Sequence, residues 1–284
     1  MNYSLEIKNL RKEFKGFTLK DLNIKLEPGF IMGFIGPNGA GKTTTIKLIM
    51  NLIKKDGGQI KVFGKDHVAA EKEIKDRIGF VYDENYYYED LSIRQMKNIV
   101  SKFYSKWDDN QFNSYINEFD LNPKAKIKTL SKGMKMKFSL AIALSHQADL
   151  IIMDEPTSGL DPVFRRGILD ILYNIIQDEN KSIFFSTHIT TDLEKIADYI
   201  TFINDGEILF SEAKDKILDS YRIVKGSTKM LEGNRDKFIG LRETDVGFEG
   251  LTNNINQIES SFNNDVLIEK ASLEDIMVYS IRGE

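Results

Sequence analysis

The sequence predicts an α/β fold with a mostly parallel sheet, antiparallel strands at the N-terminus, a helical subdomain and a small α+β extension at the C-terminus. Three observations carry this prediction. The apolar runs "FIMGFI", "LIIMD", "SIFFST" and "YITFI" are separated by helix-compatible segments, an order that builds a parallel sheet covered on both faces. The N-terminal "LEIKNL", followed by Leu22, Ile24 and Leu26, alternates as half-buried strands do. Between about Asp90 and Ser145, Ile93, Met96, Ile99, Val100 and Phe103 recur at helical spacing, as do Phe112, Tyr115, Ile116 and Phe119.

The elements follow in order. After the two alternating strands, "FIMGFI" reads as a fully buried strand, with a helix from Lys42 to about Ile53. "KKDGGQ" reads as a turn before the short strand "IKVF", and a further strand runs from Ile78 to Tyr82. Beyond the helical insert come "LIIMD", a helix from Pro162 to about Gln177, "SIFFST", a helix near Asp192 to Ala197, and "YITFI". "NDG" at 204–206 is a hairpin turn that closes this layer. After Ser211 the chain is more polar, with strand candidates "RIVKG" and "DVLIEK" and a helix at Ser272 to Tyr279. The predicted organisation is a first domain at 1–212, containing a helical subdomain at about 85–147, and an accessory domain at 213–284.

Composition bounds the function. The 284 residues are 41% apolar and 29% charged with a net charge of −4, ordinary for a soluble globular chain and without the basic excess of a general nucleic-acid binder. The absence of cysteine excludes disulfides, thiolate metal sites and a cysteine nucleophile. "MNYSLEIKNL" lacks the charged-then-apolar pattern of a signal peptide, and no stretch approaches the roughly 18 apolar residues of a membrane span. The expected location is cytoplasmic.

Gly33, Gly36, Gly39 and Gly41 fall within nine positions. Each glycine costs about 0.5–1 kcal/mol relative to alanine in regular structure, so the run implies a tight turn or a ligand against the backbone. Gly36, Gly41, Lys42 and Thr43 satisfy G-x-x-x-x-G-K-[ST], the P-loop, in which backbone N–H groups wrap a phosphate, lysine reaches the β and γ phosphates and the threonine hydroxyl ligates Mg²⁺. "LIIMDEPTSGLD" ends a buried strand in Asp154 and Glu155, which beside a phosphate loop supplies a carboxylate for the Mg²⁺ shell and one to polarise an attacking water. Leu130, Ser131 and Gly133 precede a helix in "LSKGMKMKFSLAIAL", where Ser131 alone would be a helix N-cap.

The ordered set of phosphate loop, L-S-x-G, apolar-D-E, S-G-L-D and a later His188 resembles the ATP-binding cassette, the motor subunit of ABC transporters of the exporter type, over about residues 3 to 212. The resemblance implies a P-loop NTPase that works as a head-to-tail pair, either a homodimer or a related heterodimer. ATP and Mg²⁺ would be held by Gly36, Pro37, Asn38, Gly39, Ala40, Gly41, Lys42, Thr43 and Thr44, and capped by the other subunit's Ser131 and Gly133. It implies Glu155 as catalytic base, His188 as the switch residue at the γ-phosphate, and Phe14, with Phe17 as rival, as the aromatic against adenine. Asp161 resembles the aspartate that faces the opposite subunit, and also suits an N-cap before Pro162. Two motifs depart from the family pattern. Lys132 and Met134 replace the third and fifth residues of L-S-G-G-Q, and Asp83 or Glu84 stands where a glutamine is usual; Asp83 is expected to be metal-linked, with Thr43 and Asp154.

The family docks its polytopic membrane partner on the segment that corresponds to Tyr86, Tyr87, Tyr88 and the insert. The lysines at 124, 126, 128, 132, 135 and 137 read as a solvated face rather than a nucleic-acid surface. The implied function is an ATPase driving export of a peptide, lipid or drug from the cytoplasmic face of the membrane; the alternative is a soluble or regulatory ABC ATPase without a transport role. A kinase or GTPase reading is disfavoured because no N-K-x-D occurs.

Overall fold

The computed structural model describes residues 3–82, 87–262 and 265–282. The chain opens with β1 (Leu5–Phe14) and β2 (Phe17–Leu26), which pair antiparallel from Leu5 opposite Leu26 to Phe14 opposite Phe17. Gly16, at φ +89°, makes the turn between them, a conformation that glycine adopts without a Cβ penalty. Leu5, Ile7 and Leu10, with Leu22, Ile24 and Leu26, are buried as predicted, and Leu19 joins them. β3 (Ile31–Ile35) is buried throughout, and α1 (Lys42–Ile49) follows it, stopping short of the predicted Ile53.

β4 (Gly57–Val62) adds to β1 and is flanked by β5 (Lys65–Asp66), giving a four-stranded antiparallel sheet in the order β2-β1-β4-β5. Here the predicted turn at "KKDGGQ" is wrong, because Gly57 and Gly58 lie inside the strand. β1 bulges at Asn9, φ +48°, and a Cβ on Gly58 would come 2.2 Å from the Asn9 carbonyl oxygen. Glycine is needed where a bulge presses on a neighbouring strand.

α2 (Glu71–Asp76) leads into β6 (Ile78–Val81). The helical insert comprises α3 (Ile93–Val100), α4 (Asp109–Glu118) and α5 (Lys132–Leu144), N-capped by Ser92, Asp108 and Ser131 respectively. Ile93, Met96, Phe112, Ile116 and Phe119 are buried, but Phe103 is 77% exposed. The predicted apolar face of the first helix fails there because the helix has given way to a 3₁₀ turn over Ser101–Phe103. Of the lysines expected to form a solvated face, Lys124, Lys126, Lys128 and Lys132 are exposed; Lys128 bonds Asp90 at 2.7 Å, while the half-buried Lys135 bonds Glu89 at 3.0 Å and the Lys137 ammonium lies 4.7 Å from the Phe164 ring centroid.

β7 (Leu150–Asp154), α6 (Pro162–Ile175), β8 (Ser182–Thr187), α7 (Thr190–Ile196), β9 (Tyr199–Asn204) and β10 (Glu207–Ala213) complete the second sheet. Its order is β10-β9-β3-β8-β7-β6. All neighbours pair in parallel except the β9–β10 hairpin, whose turn residues Asp205 and Gly206 both have positive φ as a two-residue hairpin requires. Because the strands run in parallel register, with Ile35 beside Thr187 and Asp154 beside Ser186, their carboxyl ends form one edge. That edge is where open α/β sheets bind ligands.

α8 (Lys214–Ser220) connects to β11 (Arg222–Gly226), β12 (Gly240–Thr244), β13 (Gly247–Thr252), α9 (Ile255–Phe262), β14 (Leu267–Lys270) and α10 (Leu273–Arg282). The strands form an antiparallel sheet in the order β12-β13-β11-β14. β11 is buried on both faces. Val224 joins Phe248, Ile258 and Phe262 in a small local cluster, whereas Ile223 joins Leu251, Leu273, Ile276 and Tyr279 in the main core with Leu193, Ala197 and Phe202. The backbone N–H of Leu273 also donates to the Glu194 carboxylate on α7 at 2.9 Å. The extension is thus welded to the six-stranded sheet and its helices through α7.

Candidate nucleotide site

The loop between β3 and α1 is shaped by close packing from behind. A Cβ on Gly36 would lie 2.2 Å from the Ile203 carbonyl oxygen of β9, and one on Gly41, at φ +113°, would lie 2.5 Å from the Leu19 side chain. Gly39 also has a positive φ, +84°, with open space where a side chain would project. Pro37 is half-buried, Asn38 and Gly39 are exposed and Ala40 is buried, its carbonyl accepting from the Gly206 N–H at 3.1 Å. Lys42 opens α1 and folds back over the loop. Its Nζ donates to the carbonyls of Gly36 at 2.8 Å and Pro37 at 3.2 Å, and lies 3.4 Å from Glu155 Oε1. Thr43 and Thr44 are half-buried in the first turn, while Thr45 is buried and bonds the Gly41 carbonyl. The helix N-terminus and the loop N–H groups make an anion-binding concavity.

The two carboxylates lie on the same edge. Asp154 is 2% exposed and its Oδ1 accepts from Ser186 Oγ at 2.5 Å. Glu155 has φ +49°, a left-handed conformation that costs a non-glycine residue about 1–3 kcal/mol and marks a site where the surroundings over-determine the backbone. Its N–H donates to the Ser186 carbonyl at 3.1 Å and the Ser186 hydroxyl at 3.2 Å. Its Oε2 pairs with His188 Nδ1 at 2.8 Å and accepts from the His188 N–H at 3.3 Å. Lys42, Glu155 and His188 therefore meet, with His188 44% exposed in its side chain toward the open side.

Ser131 and Gly133 face other neighbours. Ser131 Oγ accepts the Met134 N–H at 3.2 Å, and a Cβ on Gly133 would be 3.1 Å from the Phe164 ring of α6. Asp161 caps α6, accepting the N–H groups of Val163 at 3.1 Å and Phe164 at 3.0 Å, with Pro162 at the first helical position. The N-cap role is therefore filled. Phe14 is 44% exposed with Lys12 Nζ 5.4 Å from its ring centroid, whereas the Phe17 ring packs behind Gly41, 3.0 Å from where a Cβ there would lie. Of the two aromatics, Phe14 keeps the open ring. Asp83, Glu84 and Tyr86 lie outside the described residues; Tyr87 packs 4.9 Å from the Phe138 centroid and burial pushes its phenol up to about 12, while Tyr88 is 68% exposed.

Sequence reasoning missed the residues that hold the carboxylates. Ser186 is a buried hydroxyl following the apolar Ile183–Phe185 of β8, and its position one step before the strand end was the available signal. Thr157, Arg165 and Asp192 form a second buried cluster beneath the site, and nothing in their spacing announces it.

A lysine folded over a glycine cradle, beside an acid-tipped parallel strand, places the fold in the P-loop nucleoside-triphosphatase class. A family model described as ABC transporter matches residues 19–158, and a lantibiotic transport ATP-binding protein of Streptococcus pyogenes is 31% identical over 214 residues, 74% of this chain and 91% of its own length. The chain belongs to the ABC transporter family and is one of its ATP-binding subunits. The bacitracin transport ATP-binding protein of Bacillus licheniformis is 36% identical over 190 residues, 66% of this chain. The match spans 62% of that relative's length. A solved ATP-binding subunit of an ABC transporter superposes with a TM-score of 0.69 at 26% identity, over 76% of this chain and 92% of its own. The dimeric ATP-binding cassette MJ0796, bound to ADP and Pi, shares the fold with a TM-score of 0.65 at 22% identity, over 74% of this chain and 98% of its own. Among the described residues no helix is long and apolar enough to cross a membrane.

Proposed function

We propose that this chain hydrolyses ATP and, through a separate polytopic membrane subunit, drives export of a peptide, lipid or drug. The observation that carries the reading is the clamp on Glu155, whose two oxygens lie 3.4 Å from the Lys42 ammonium and 2.8 Å from His188 Nδ1. In this reading the Lys42 ammonium turns from the loop carbonyls to the β and γ phosphates, and Glu155 orients the attacking water and accepts its proton. His188 keeps Glu155 aimed and contacts the γ-phosphate. The ring of Phe14 stacks on adenine. Mg²⁺ suits the donor set of the Thr43 hydroxyl and the buried Asp154 carboxylate, with Asp83 two residues beyond the end of β6, the strand that pairs with β7, since it is a hard cation that takes oxygen ligands and keeps waters. When bound it would neutralise charge on the phosphate oxygens.

Ser131 and Gly133 have their contacts within their own helix and against α6 rather than with loop 36–41. This supports a head-to-tail pair in which each copy, or a related chain, offers its signature helix N-terminus to the other's nucleotide, with Asp161 and its loop at the seam. The first domain is taken as 1–212 and the docked extension as 213–284. The names of the bacitracin and lantibiotic relatives support an export role at the cytoplasmic face of the membrane.

The test is Glu155→Gln, which keeps the size of the side chain and removes its basicity. Turnover should fall at least about 100-fold, the contribution typical of general base catalysis, while ATP drives a long-lived dimer visible by light scattering. A variant that stays monomeric with ATP, or that hydrolyses at the parental rate, refutes both the base and the pairing.

A further inference from the structure

α7 starts two residues after His188, and its third residue, Asp192, is fully buried. Carboxylates are almost never buried completely unless they are paired. Asp192 Oδ2 accepts the Thr157 hydroxyl at 2.7 Å and Oδ1 accepts Arg165 Nε at 2.6 Å. Arg165 Nη2 also donates to Thr191 Oγ1 at 2.8 Å. Thr157 is itself 1% exposed.

These partners come from three different segments. Thr157 stands two residues beyond Glu155, Arg165 lies on the first turn of α6 with its N–H on the Asp161 carbonyl at 2.9 Å, and Asp192 lies in the first turn of the helix that His188 leads into. One carboxylate thus fastens the exit of β7, the entry of α6 and the exit of β8. Glu155 sits in a left-handed backbone conformation, φ +49°, and such a conformation persists only when its surroundings enforce it. Ser186 restrains its N-terminal side, and the Thr157 hydroxyl on Asp192 restrains the chain immediately after it.

We infer that Asp192 is a positioning residue for ATP hydrolysis: by holding Thr157 and Arg165 from below, it keeps Glu155 and His188 in mutual register without touching the reacting atoms. This rests on the proposed role of Glu155. The phosphate loop and the Phe14 ring belong to other elements, so ATP binding to the single subunit should be insensitive to the cluster while turnover depends on it.

The experiment compares Thr157→Val, Thr157→Ser and Asp192→Asn in the full chain, at a temperature where circular dichroism shows each variant folded. Turnover is measured with Mg-ATP, affinity by titration of a fluorescent ATP analogue, and backbone exchange of residues 155–161 and 188–192 without nucleotide. Thr157→Val and Asp192→Asn are expected to lose about 10- to 100-fold in kcat, the scale on which small misplacements act, with analogue affinity within about twofold. Both should exchange faster in the two segments, and Thr157→Ser should restore rate and protection. Should Asp192→Asn fail to fold, the Thr157 pair decides. A folded Thr157→Val with parental turnover and parental exchange overturns the inference, as does a Thr157→Ser no better than valine. If the parental chain itself hydrolyses no ATP while the exchange pattern responds as expected, the failure lies with the proposed function and not with the restraint.

Discussion

Gly36→Ala and Gly39→Ala separate the two reasons for glycine in the phosphate loop. At Gly36 the added Cβ would lie 2.2 Å from the Ile203 carbonyl oxygen. A comfortable carbon–oxygen contact is about 3.3 Å, so loop and strand must part by about 1 Å. Neither side yields cheaply, because the obstacle is the backbone of β9, a strand paired on both sides, and the Gly36 carbonyl is also the 2.8 Å acceptor for Lys42. A displacement of that size at a reacting group costs about 100-fold in rate. At Gly39 the Cβ meets nothing within 4 Å, and only the left-handed φ is penalised, at about 1–2 kcal/mol. Turnover with Mg-ATP, titration of a fluorescent nucleotide and urea unfolding should be run on both variants. Gly36→Ala is expected to lose about 100-fold in turnover with weakened nucleotide binding, and Gly39→Ala to lose mainly stability. Equal losses in both variants, or an unimpaired Gly36→Ala, would falsify the claim that packing from β9 sets the loop.

Three further outcomes follow from the same coordinates. Ser186→Ala strips the buried Asp154 carboxylate of its 2.5 Å donor and should cost about 1–3 kcal/mol in urea unfolding; no change in midpoint would mean that Asp154 is satisfied without it. Ile276→Ala removes a fully buried side chain that joins α10 to the main core, so the unfolding free energy should fall by about 2–5 kcal/mol and the principal thermal transition should move to lower temperature; an unmoved transition would show the extension melting by itself. His146 and His67 are buried, and desolvation lowers both pKa values below 6.5. The unfolded chain therefore takes up more protons, so stability should be complete above pH 6.5 and fall as the pH drops below it; His146→Gln should flatten that fall, and an unchanged acid limb would exclude His146 as its source.

The sequence made the sheet legible wherever one physical rule acted alone. Alternation gave away β1 and β2, and uninterrupted apolar runs located β3, β7 and β8, because a strand covered on both faces needs no polar side. The phosphate loop was readable because glycine spacing is demanded by backbone geometry that few other tasks require. The meeting of Lys42, Glu155 and His188 was implied by the resemblance to the ATP-binding cassette, and it agrees with their standing beyond the carboxyl ends of parallel strands. Tertiary context hid the rest. Gly57 and Gly58 looked like a turn because the bulge at Asn9 that requires glycine at 58 lies far away in the sequence, and Phe103 looked buried because its spacing continued a helix that had already tightened. Asp192 read as a helix start, although the helix begins at Thr190 and its carboxylate turns inward to partners that sequence distance conceals. Asp161 carried two compatible readings, of which its cap geometry describes one.

The double-faced burial of β11 bears on how the molecule is made. Ile223 and Leu273 reach the same core as Leu193 and Phe202, so a ribosome that has finished the cassette strands has still produced an open protein. Nascent domains tend to fold as units while synthesis proceeds at about 5–20 residues per second, and here the last helix supplies the lid to apolar surface that emerged several seconds earlier. During that interval the underside of α7 stays uncovered, and a transcript cut short would leave it bare.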